Sequence, residues 1–427
     1  MAFDRSLRSL LGGVLCLAAV LAACSSPQSP TARTVIQGPT TPPTPEPDVG
    51  FPIAPVRFAD VPGWGASDLK PAHSAFMETC ASLRRRSPAA HFALKASYGG
   101  LVQDWLPACD RMEAAIGDSE AIRTAIEESF VAYMVDPEGP ESKLTGYFEP
   151  ELEVRRYPEP GFTKAVPGIP FDLVRADPSD FDQKYPKGKI WGRVSDGVLE
   201  YYPPRAEIID DPATALAYAD PGEVFYLQIQ GSGRLKFPDG RVMRAAFAAH
   251  NHRPFVSIAR HLIDTGEIEI HQAGMGSILN WMRQVGSERA QAAMNVNPRY
   301  VWFTPQEITD PNKGPNGAAG VPLMPMGSMA VDPKYHPYGA LMFIDTKVPA
   351  HPGDWQGTTY QSLVVAQDTG GAIKGLKRGD LFFGWGKEAG GRAASMNHPV
   401  DMWILLPKAL SNRMVVEQTR ASKTHDG

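Results

Sequence analysis

Apolar residues recur at helical spacing in two N-terminal segments. Positions 67 to 86 carry apolar residues three to four apart, which predicts a helix. A second helix is predicted from Ser119, a residue type favoured at helix N-caps. The apolar face of this second helix consists of Ile122, Ile126, Phe130 and Tyr133. Core packing accounts for both helices without any functional role.

The hydrophobic pattern changes to that of strands after Lys143. Strands are predicted in LTGYFEPELEVRR (144–156), VFYLQIQGSGRLKF (224–237) and RVMRAAFAAH (241–250). Pro238-Asp239-Gly240 supplies a turn between the last two, so these segments predict a hairpin.

After residue 250 the chain shows first helical and then strand-like hydrophobic patterns. Helices are predicted over 254–264 and 277–296, and a strand over 299–303. After a Gly- and Pro-rich loop, short apolar segments broken by Gly and Asp continue to Leu406, which predicts an all-β stretch that closes as a barrel. The predicted fold class is mainly β with α, containing a β-barrel.

The first residues are typical of an exported lipoprotein. Two arginines precede an apolar run from Leu10 to Val20, which is too short to span a membrane, and the segment ends in Leu-Ala-Ala-Cys. This tetrapeptide resembles the bacterial lipobox, which implies that residues 1–23 are removed and that Cys24 is lipidated. Ser25 follows instead of Asp, which favours the periplasmic face of the outer membrane. The alternative is an ordinary signal peptide in which the cysteine occurs by chance.

Composition indicates how the rest of the chain is organised. Residues 24–55 are rich in Pro, Ser and Thr and predict an extended tether, and 411–427 form a C-terminal tail. A length of 427 residues with 43% hydrophobic and 21% charged residues favours more than one domain. The net charge of −5 argues against nucleic acid as a partner.

Two cysteines remain to pair after export. Of the four cysteines, Cys16 leaves with the signal peptide and Cys24 is the lipidation site, so Cys80 and Cys109 are left. An oxidising compartment favours a disulfide between them, and two buried free thiols are the alternative.

The strongest candidates for catalytic residues lie between residues 368 and 392. Asp368 and Asp380 stand among glycines, and Asp380 precedes an apolar Leu-Phe-Phe run of the kind that raises a carboxyl pKa. His250-Asn251-His252 lacks the companions of a metal site, so no metal or other cofactor is expected. Serine-nucleophile and phosphate-loop motifs are also missing from the sequence. The remaining possibility is acid and base catalysis by carboxylates, with a carbohydrate as the substrate.

Six segments in order resemble the membrane-bound lytic murein transglycosylases of the A type, which cleave peptidoglycan. The segments are LTGYFEPEL (144–152), LQIQGSGRL (227–235), NHRPFVSIARHLID (251–264), NPRYVWF (297–303), SMAVDPKYHPYGALMFID (328–345) and the block 367–396. The resemblance implies a double-psi β-barrel formed by 56–147 and 307–410, with the family's three-aspartate (3D) domain at about 325–408. A smaller β domain, 148–306, is inserted, and the glycan binds between the two.

The resemblance also implies roles for individual residues. Asp380 is the catalytic acid of a peptidoglycan lytic exotransglycosylase that leaves 1,6-anhydromuramic acid ends. The supporting carboxylates are Asp368 and Asp332. The candidate substrate-binding residues are Tyr147, Gln230, Ser232, Glu388 and Arg392. Each of these could instead make a structural hydrogen bond or carry surface charge.

Two rival functions stay open at this point. A catalytically silent peptidoglycan-binding protein would share the fold. A hydrolytic muramidase would need a second carboxylate near Asp380, for which Asp332 or Glu388 are the candidates. The expected partners are peptidoglycan strands and the outer membrane, and the sequence identifies no cell-wall synthesis or division protein. One departure from many relatives is Gly327, where an Arg is often found.

Overall fold

A computed structural model describes residues 52–136, 142–185 and 188–414. The predicted signal peptide, the lipidation site Cys24 and nearly all of the tether lie outside the described residues, as does the tail beyond residue 414. Within the described ranges, no helix has the length and apolar character needed to cross a membrane.

The described residues form a mixed α and β fold with several sheets. The helices whose two ends are described are α1 (Lys70–Leu83), α2 (Val102–Ala114), α3 (Ser119–Ser129), α4 (Pro221–Gln230), α5 (Ile258–Asp264), α6 (Met275–Val285), α7 (Ser287–Asn295) and α8 (Gly386–Ala394). Residues 408–414 are also helical. The strands of the first half are β1 (Ile53–Val56), β2 (Phe130–Val135), β3 (Lys143–Glu149), β4 (Glu151–Glu153), β5 (Lys164–Val166), β6 (Val174–Ala176), β7 (Ile190–Ser195), β8 (Val198–Tyr201) and β9 (Ala217–Ala219). The later strands are β10 (Gly233–Lys236), β11 (Val242–His250), β12 (Val301–Gln306), β13 (Ser328–Val331), β14 (Leu341–Val348), β15 (Thr358–Asp368), β16 (Arg378–Trp385), β17 (Asn397–His398) and β18 (Val400–Pro407).

The largest sheet combines strands from both ends of the chain. Its nine strands lie in the order β1-β2-β18-β14-β15-β13-β16-β3-β17. The β13–β15 and β16–β3 pairs are parallel, and the other pairs are antiparallel. Parallel neighbours need long connections, and the 228 residues that separate the end of β3 from the start of β16 supply one.

The middle of the chain forms smaller sheets. Strands β12, β11, β10 and β4 make a four-stranded sheet, β6 to β8 a three-stranded sheet, and β5 pairs with β9. The predicted hairpin is confirmed, because β10 and β11 pair antiparallel from Gly233 opposite Ala245 to Lys236 opposite Val242.

Helices α1 and α2 cover one face of the large sheet and are joined covalently. The Cys80 and Cys109 sulfur atoms form a disulfide, with the two Cα atoms 5.5 Å apart. Gln367 on β15 donates to the Ala75 carbonyl of α1 at 2.7 Å, which fixes this helix against the sheet. Helix α2 was absent from the sequence prediction, since Pro107 interrupts its pattern.

The strand predicted over 224–237 is wrong in its first half. Residues 221–230 form helix α4, and only β10 is a strand. Asp220 caps this helix by accepting from the Gly222 and Glu223 amides, Pro221 occupies its first position, and Gly231 ends it at φ 86°. These capping signals outweigh the β propensity of Val, Phe, Tyr and Ile in this segment.

Several predicted helix boundaries need correction. The second helix is capped by Asp118 and ends at Ser129, so Phe130 and Tyr133 belong to β2 instead of its apolar face. The helix predicted over 277–296 is two helices, because Gly286 adopts φ 84° between α6 and α7.

The all-β prediction for the C-terminal stretch missed helix α8. Its sequence, GKEAGGRAA, contains three glycines, which lowers helix propensity. Two of these glycines allow close packing: a Cβ on Gly390 would lie 2.6 Å from Phe148, and one on Gly391 would lie 2.6 Å from Pro352. Tertiary contact thus overrides propensity here.

Candidate active site

A cleft of about 710 Å³ contains most of the predicted functional residues. One wall comes from the large sheet and includes Tyr147, Asp368 and Asp380. The other wall comes from the middle of the chain and includes the segment 228–232 and Arg299.

Sheet register places the two aspartates on either side of one residue. Ala330 of β13 lies opposite Asp368 on β15 and opposite Asp380 on β16. Residues directly opposite one another project from the same face, so both carboxylates face the cleft. A register shift between Met329 and Ala330 brings Asp368, instead of Gln367, opposite Ala330. Without this irregularity the aspartate would point to the other face of the sheet.

Asp380 is held by a threonine on the neighbouring strand. Thr145 of β3 lies directly opposite Asp380, and its hydroxyl donates to Asp380 Oδ1 at 2.6 Å. Arg378 Nη2 donates in turn to Thr145 Oγ1 at 2.8 Å. Because a guanidinium only donates, the single threonine proton must go to the aspartate. Oδ1 is therefore an acceptor, and a proton carried by Asp380 lies on Oδ2.

Burial raises the pKa of Asp380 to about 6. The negative charge of Asp368 adds to this increase, whereas the Thr145 hydrogen bond and the Arg378 charge lower the pKa. A raised Asp380 pKa agrees with the prediction from its apolar neighbours, and repulsion by Asp368 is a smaller cause of the increase than burial. A carboxyl with this pKa can hold a proton close to neutral pH.

Asp368 is half-buried, and both of its carboxylate oxygens accept hydrogen bonds. Oδ2 accepts from the Tyr147 hydroxyl at 3.0 Å, and Oδ1 accepts from the Ala318 amide at 2.9 Å. Burial raises the Asp368 pKa, and these bonds, with one from the Thr369 amide, lower it. Burial and the two carboxylates hold the Tyr147 pKa well above its usual value, so this hydroxyl remains a donor.

The third aspartate of the sequence motif serves a turn. Asp332 accepts from the Lys334 amide at 3.1 Å and from the Gly375 amide at 3.0 Å, and it does not line the cleft. It therefore fixes the loop that connects Asp368 to Asp380.

The predicted substrate-binding residues divide into two groups. Tyr147, Gln230 and Ser232 line the cleft. Glu388 and Arg392 do not, since α8 carries them elsewhere: Glu388 is exposed, and Arg392 Nε donates to the Pro349 carbonyl at 2.9 Å. Glu388 and Arg392 are therefore near Asp380 in sequence but do not lie in the cleft with it.

Sequence reasoning missed Thr145 and Arg378. Both were detectable in principle, because residues two apart on one strand share a face: Thr145 lies two residues from Tyr147 on β3, and Arg378 lies two residues from Asp380 on β16. It also gave no role to Lys189 or Arg299, which line the opposite wall. In the described part of the chain, no cluster of three or more His, Cys, Asp or Glu residues could hold a metal ion.

Two segments of the chain match the models of known protein families. Residues 143–304 match the MltA specific insert domain, and residues 327–406 match the 3D domain. The chain spans 64 to 94% of the length of curated relatives named membrane-bound lytic murein transglycosylase A. The one from Escherichia coli is 29% identical over 405 residues, which cover 93% of this chain and 94% of the relative.

Solved structures agree with the sequence matches. A membrane-bound lytic murein transglycosylase from Agrobacterium tumefaciens superposes with a TM-score of 0.73 at 28% identity, over 85% of this chain and 99% of that one. The lytic transglycosylase LtgG of Burkholderia pseudomallei is 32% identical, with a TM-score of 0.55 over 84% of this chain and 98% of that one. The chain belongs to the membrane-bound lytic murein transglycosylase A family.

Proposed function

We propose that this protein is a lytic transglycosylase that cleaves the β-1,4 bond between N-acetylmuramic acid and N-acetylglucosamine in peptidoglycan. Family membership supports the reaction class. The observation that carries the proposal is Asp380, a half-buried carboxyl that lines the cleft and has a pKa of about 6. Such a group is protonated often enough near neutral pH to act as a general acid.

In the proposed reaction, Asp380 acts twice. The proton on Oδ2 passes to the glycosidic oxygen, and the bond from this oxygen to the muramyl C1 breaks. The resulting carboxylate then accepts the proton of the muramyl C6 hydroxyl, whose oxygen bonds to C1 and forms the 1,6-anhydro ring. Because that hydroxyl is tethered to its target, its high effective concentration favours it over water. The Thr145 hydroxyl, which accepts from Arg378, donates to Oδ1 and keeps this oxygen out of the proton transfer.

The environment of Asp368 favours this reaction over hydrolysis. A hydrolase would use a second carboxylate as nucleophile or as base toward water. Both Asp368 oxygens already accept hydrogen bonds, from Tyr147 and Ala318, and neither Asp332 nor Glu388 lines the cleft. Asp368 is therefore assigned to positioning and to raising the Asp380 pKa.

We further infer that part of the large sheet closes as a double-psi β-barrel. Strand β17 pairs with β3 at one edge of the sheet, and after a single residue the chain continues as β18, which pairs with β14. The Thr346 hydroxyl of β14 donates to the carbonyl of that connecting residue, Pro399, at 2.7 Å. This junction supports closure of the six strands β18-β14-β15-β13-β16-β3.

Core composition supports the proposed domain boundaries. One hydrophobic cluster joins residues from Val61 to Leu144 with residues from Met329 to Leu410, and separate clusters lie between Leu152 and Phe303. We assign 56–147 and 307–410 to the catalytic domain and 148–306 to the insert. Lipid anchoring through Cys24 in the outer membrane completes the proposal, and the curated relatives are named as membrane-bound.

Mass spectrometry of the products from purified sacculi tests the proposal. We expect muropeptides with 1,6-anhydromuramic acid ends and no reducing muramic acid ends. Reducing ends that incorporate oxygen from labelled water would identify a hydrolase instead. Retention of glycan without any soluble product would identify a silent binding protein.

A further inference from the structure

The two walls of the cleft carry opposite charge. Among the described residues that line it, the acids are Asp368 and Asp380, both on the large sheet. The cations are Lys189 and Arg299, both on the opposite wall. We call Lys189, His250 and Arg299 the basic wall. The proposed reaction at Asp380 uses none of these three residues.

Among the described residues, Arg299 has no acidic partner, unlike Arg234 and Arg244. Arg234 and Arg244 are buried, and both pair with Glu149, at 3.0 and 2.5 Å. Arg299 instead donates to the Arg253 carbonyl at 3.4 Å. Burial lowers the Arg299 pKa, and no carboxylate in the described ranges offsets this loss of hydration. A partly desolvated guanidinium that faces a cleft is suited to bind an incoming anion.

His250 supplies a neutral donor beside this arginine. Its Nδ1 accepts from the His252 amide at 2.9 Å, so the ring proton of the neutral form lies on Nε2. His252 adopts φ 56°, a left-handed conformation that is uncommon for residues other than glycine. Burial and the Arg299 charge lower the His250 pKa to about 3, so the ring stays neutral. Lys189 is exposed at the edge of the same wall.

We propose that the basic wall binds a carboxylate of the muramic acid residue or of the peptide it carries. N-acetylglucosamine is uncharged, whereas N-acetylmuramic acid bears a lactyl group that ends either in a free carboxylate or in a peptide with carboxylates. A planar guanidinium and a ring N–H match the geometry of one carboxylate. This contact would distinguish peptidoglycan from an uncharged glycan such as chitin, and it rests on the proposed function for the nature of the substrate.

Binding to three glycans tests the assignment without turnover. The host protein is the full chain carrying Asp380→Asn, and the probes are chitohexaose, peptide-free muramyl strands and peptide-bearing strands, measured by calorimetry. Loss of one charge-assisted contact corresponds to about a tenfold weaker affinity. We expect Arg299→Gln to weaken binding of muramyl strands by this factor and to leave chitohexaose affinity within about twofold.

Two further variants make the result specific. Arg260→Gln removes an exposed positive charge of the same part of the chain, where Arg260 pairs with Asp264, and should change no affinity. Lys189→Gln changes an exposed side chain, so it reports on the basic wall even if Arg299→Gln does not fold. A loss already seen with peptide-free strands assigns the lactyl carboxylate, and a loss limited to peptide-bearing strands assigns the peptide.

Equal losses for chitohexaose and for muramyl strands would overturn the inference, as would unchanged affinities in both Arg299→Gln and Lys189→Gln. The product analysis of wild-type protein remains independent of this result. Selective binding together with reducing-end products would retain the basic wall and reject the transglycosylase mechanism.

Discussion

At the scale of single residues, the site depends on one transferable proton. Asp380→Asn preserves shape and removes that proton, so we expect glycan binding to persist while turnover falls by about 10⁴-fold or more. Asp368→Asn should lower turnover less, because the proposed role of Asp368 is positioning and raising the Asp380 pKa, and it does not transfer the proton. Rates of soluble product release from sacculi measure both effects. An Asp380→Asn enzyme that retained more than a few per cent of the wild-type rate would contradict the assigned role.

Thr145 links the strand register to the pH profile. Its hydrogen bond lowers the Asp380 pKa, so Thr145→Val should raise that pKa above about 6. Since the protonated acid starts the reaction, kcat/KM falls as the pH rises through this pKa. The alkaline limb of the profile should therefore move to higher pH in Thr145→Val, with a lower maximum because Asp380 loses its orientation. Thr145→Ser retains the hydroxyl and should restore both the limb and most of the rate. An unmoved limb in Thr145→Val would argue against this contact.

At the scale of secondary-structure elements, Gly327 sets the distance between α1 and the large sheet. A Cβ at this position would lie 2.3 Å from the Pro71 carbonyl oxygen. A residue with a Cβ at position 327 is therefore incompatible with the position of α1 in this chain. Because a backbone atom is the obstacle, Gly327→Ala must displace α1.

We expect Gly327→Ala to lower the free energy of unfolding by about 1–3 kcal/mol, the usual range for overpacking. Urea denaturation followed by circular dichroism measures the change. Gly276→Ala is the matched control, since Gly276 lies in α6 with open space around its Cβ position. The control should be neutral or stabilising by up to about 1 kcal/mol. Equal stabilities for the two variants would refute the close approach of α1.

At the scale of the whole molecule, a buried ionic cluster joins the two walls of the cleft. Glu149 ends β3 of the large sheet and accepts from Arg234 of β10 and Arg244 of β11. The guanidinium of Arg234 also lies 3.9 Å above the centre of the Trp385 ring. Removing one partner of such a cluster strongly lowers the stability of the fold, because a charge is left buried without compensation. These contacts hold the smaller sheet against the strands that carry Asp380.

Lipid anchoring also belongs to this scale. Cys24→Ala removes the predicted acylation site and should release the protein from membranes, because the lipid on Cys24 is the proposed anchor. Fractionation of wild-type and variant cells, followed by immunoblotting, measures the change. Unchanged recovery with the outer membrane would refute anchoring through this residue.

Local sequence was sufficient wherever a short segment decides its own conformation or chemistry. Spacing predicted α1, the turn at 238–240 predicted the β10–β11 hairpin, and the apolar residues after Asp380 predicted its raised pKa. The resemblance indicated the family from motifs in order. These features depend on neighbours within a few residues, so the sequence displays them directly.

Tertiary structure decided whatever depends on residues far apart in the chain. The Thr145 contact joins residues 235 positions apart, and the opposite charge of the cleft walls arises from the way distant segments meet. Helix α8 forms although its glycines disfavour it, because Gly390 and Gly391 fit closely against Phe148 and Pro352. The same packing carries Glu388 and Arg392 away from the cleft. Long-range pairing and close packing have no local signature, which is why sequence reasoning could not place these residues.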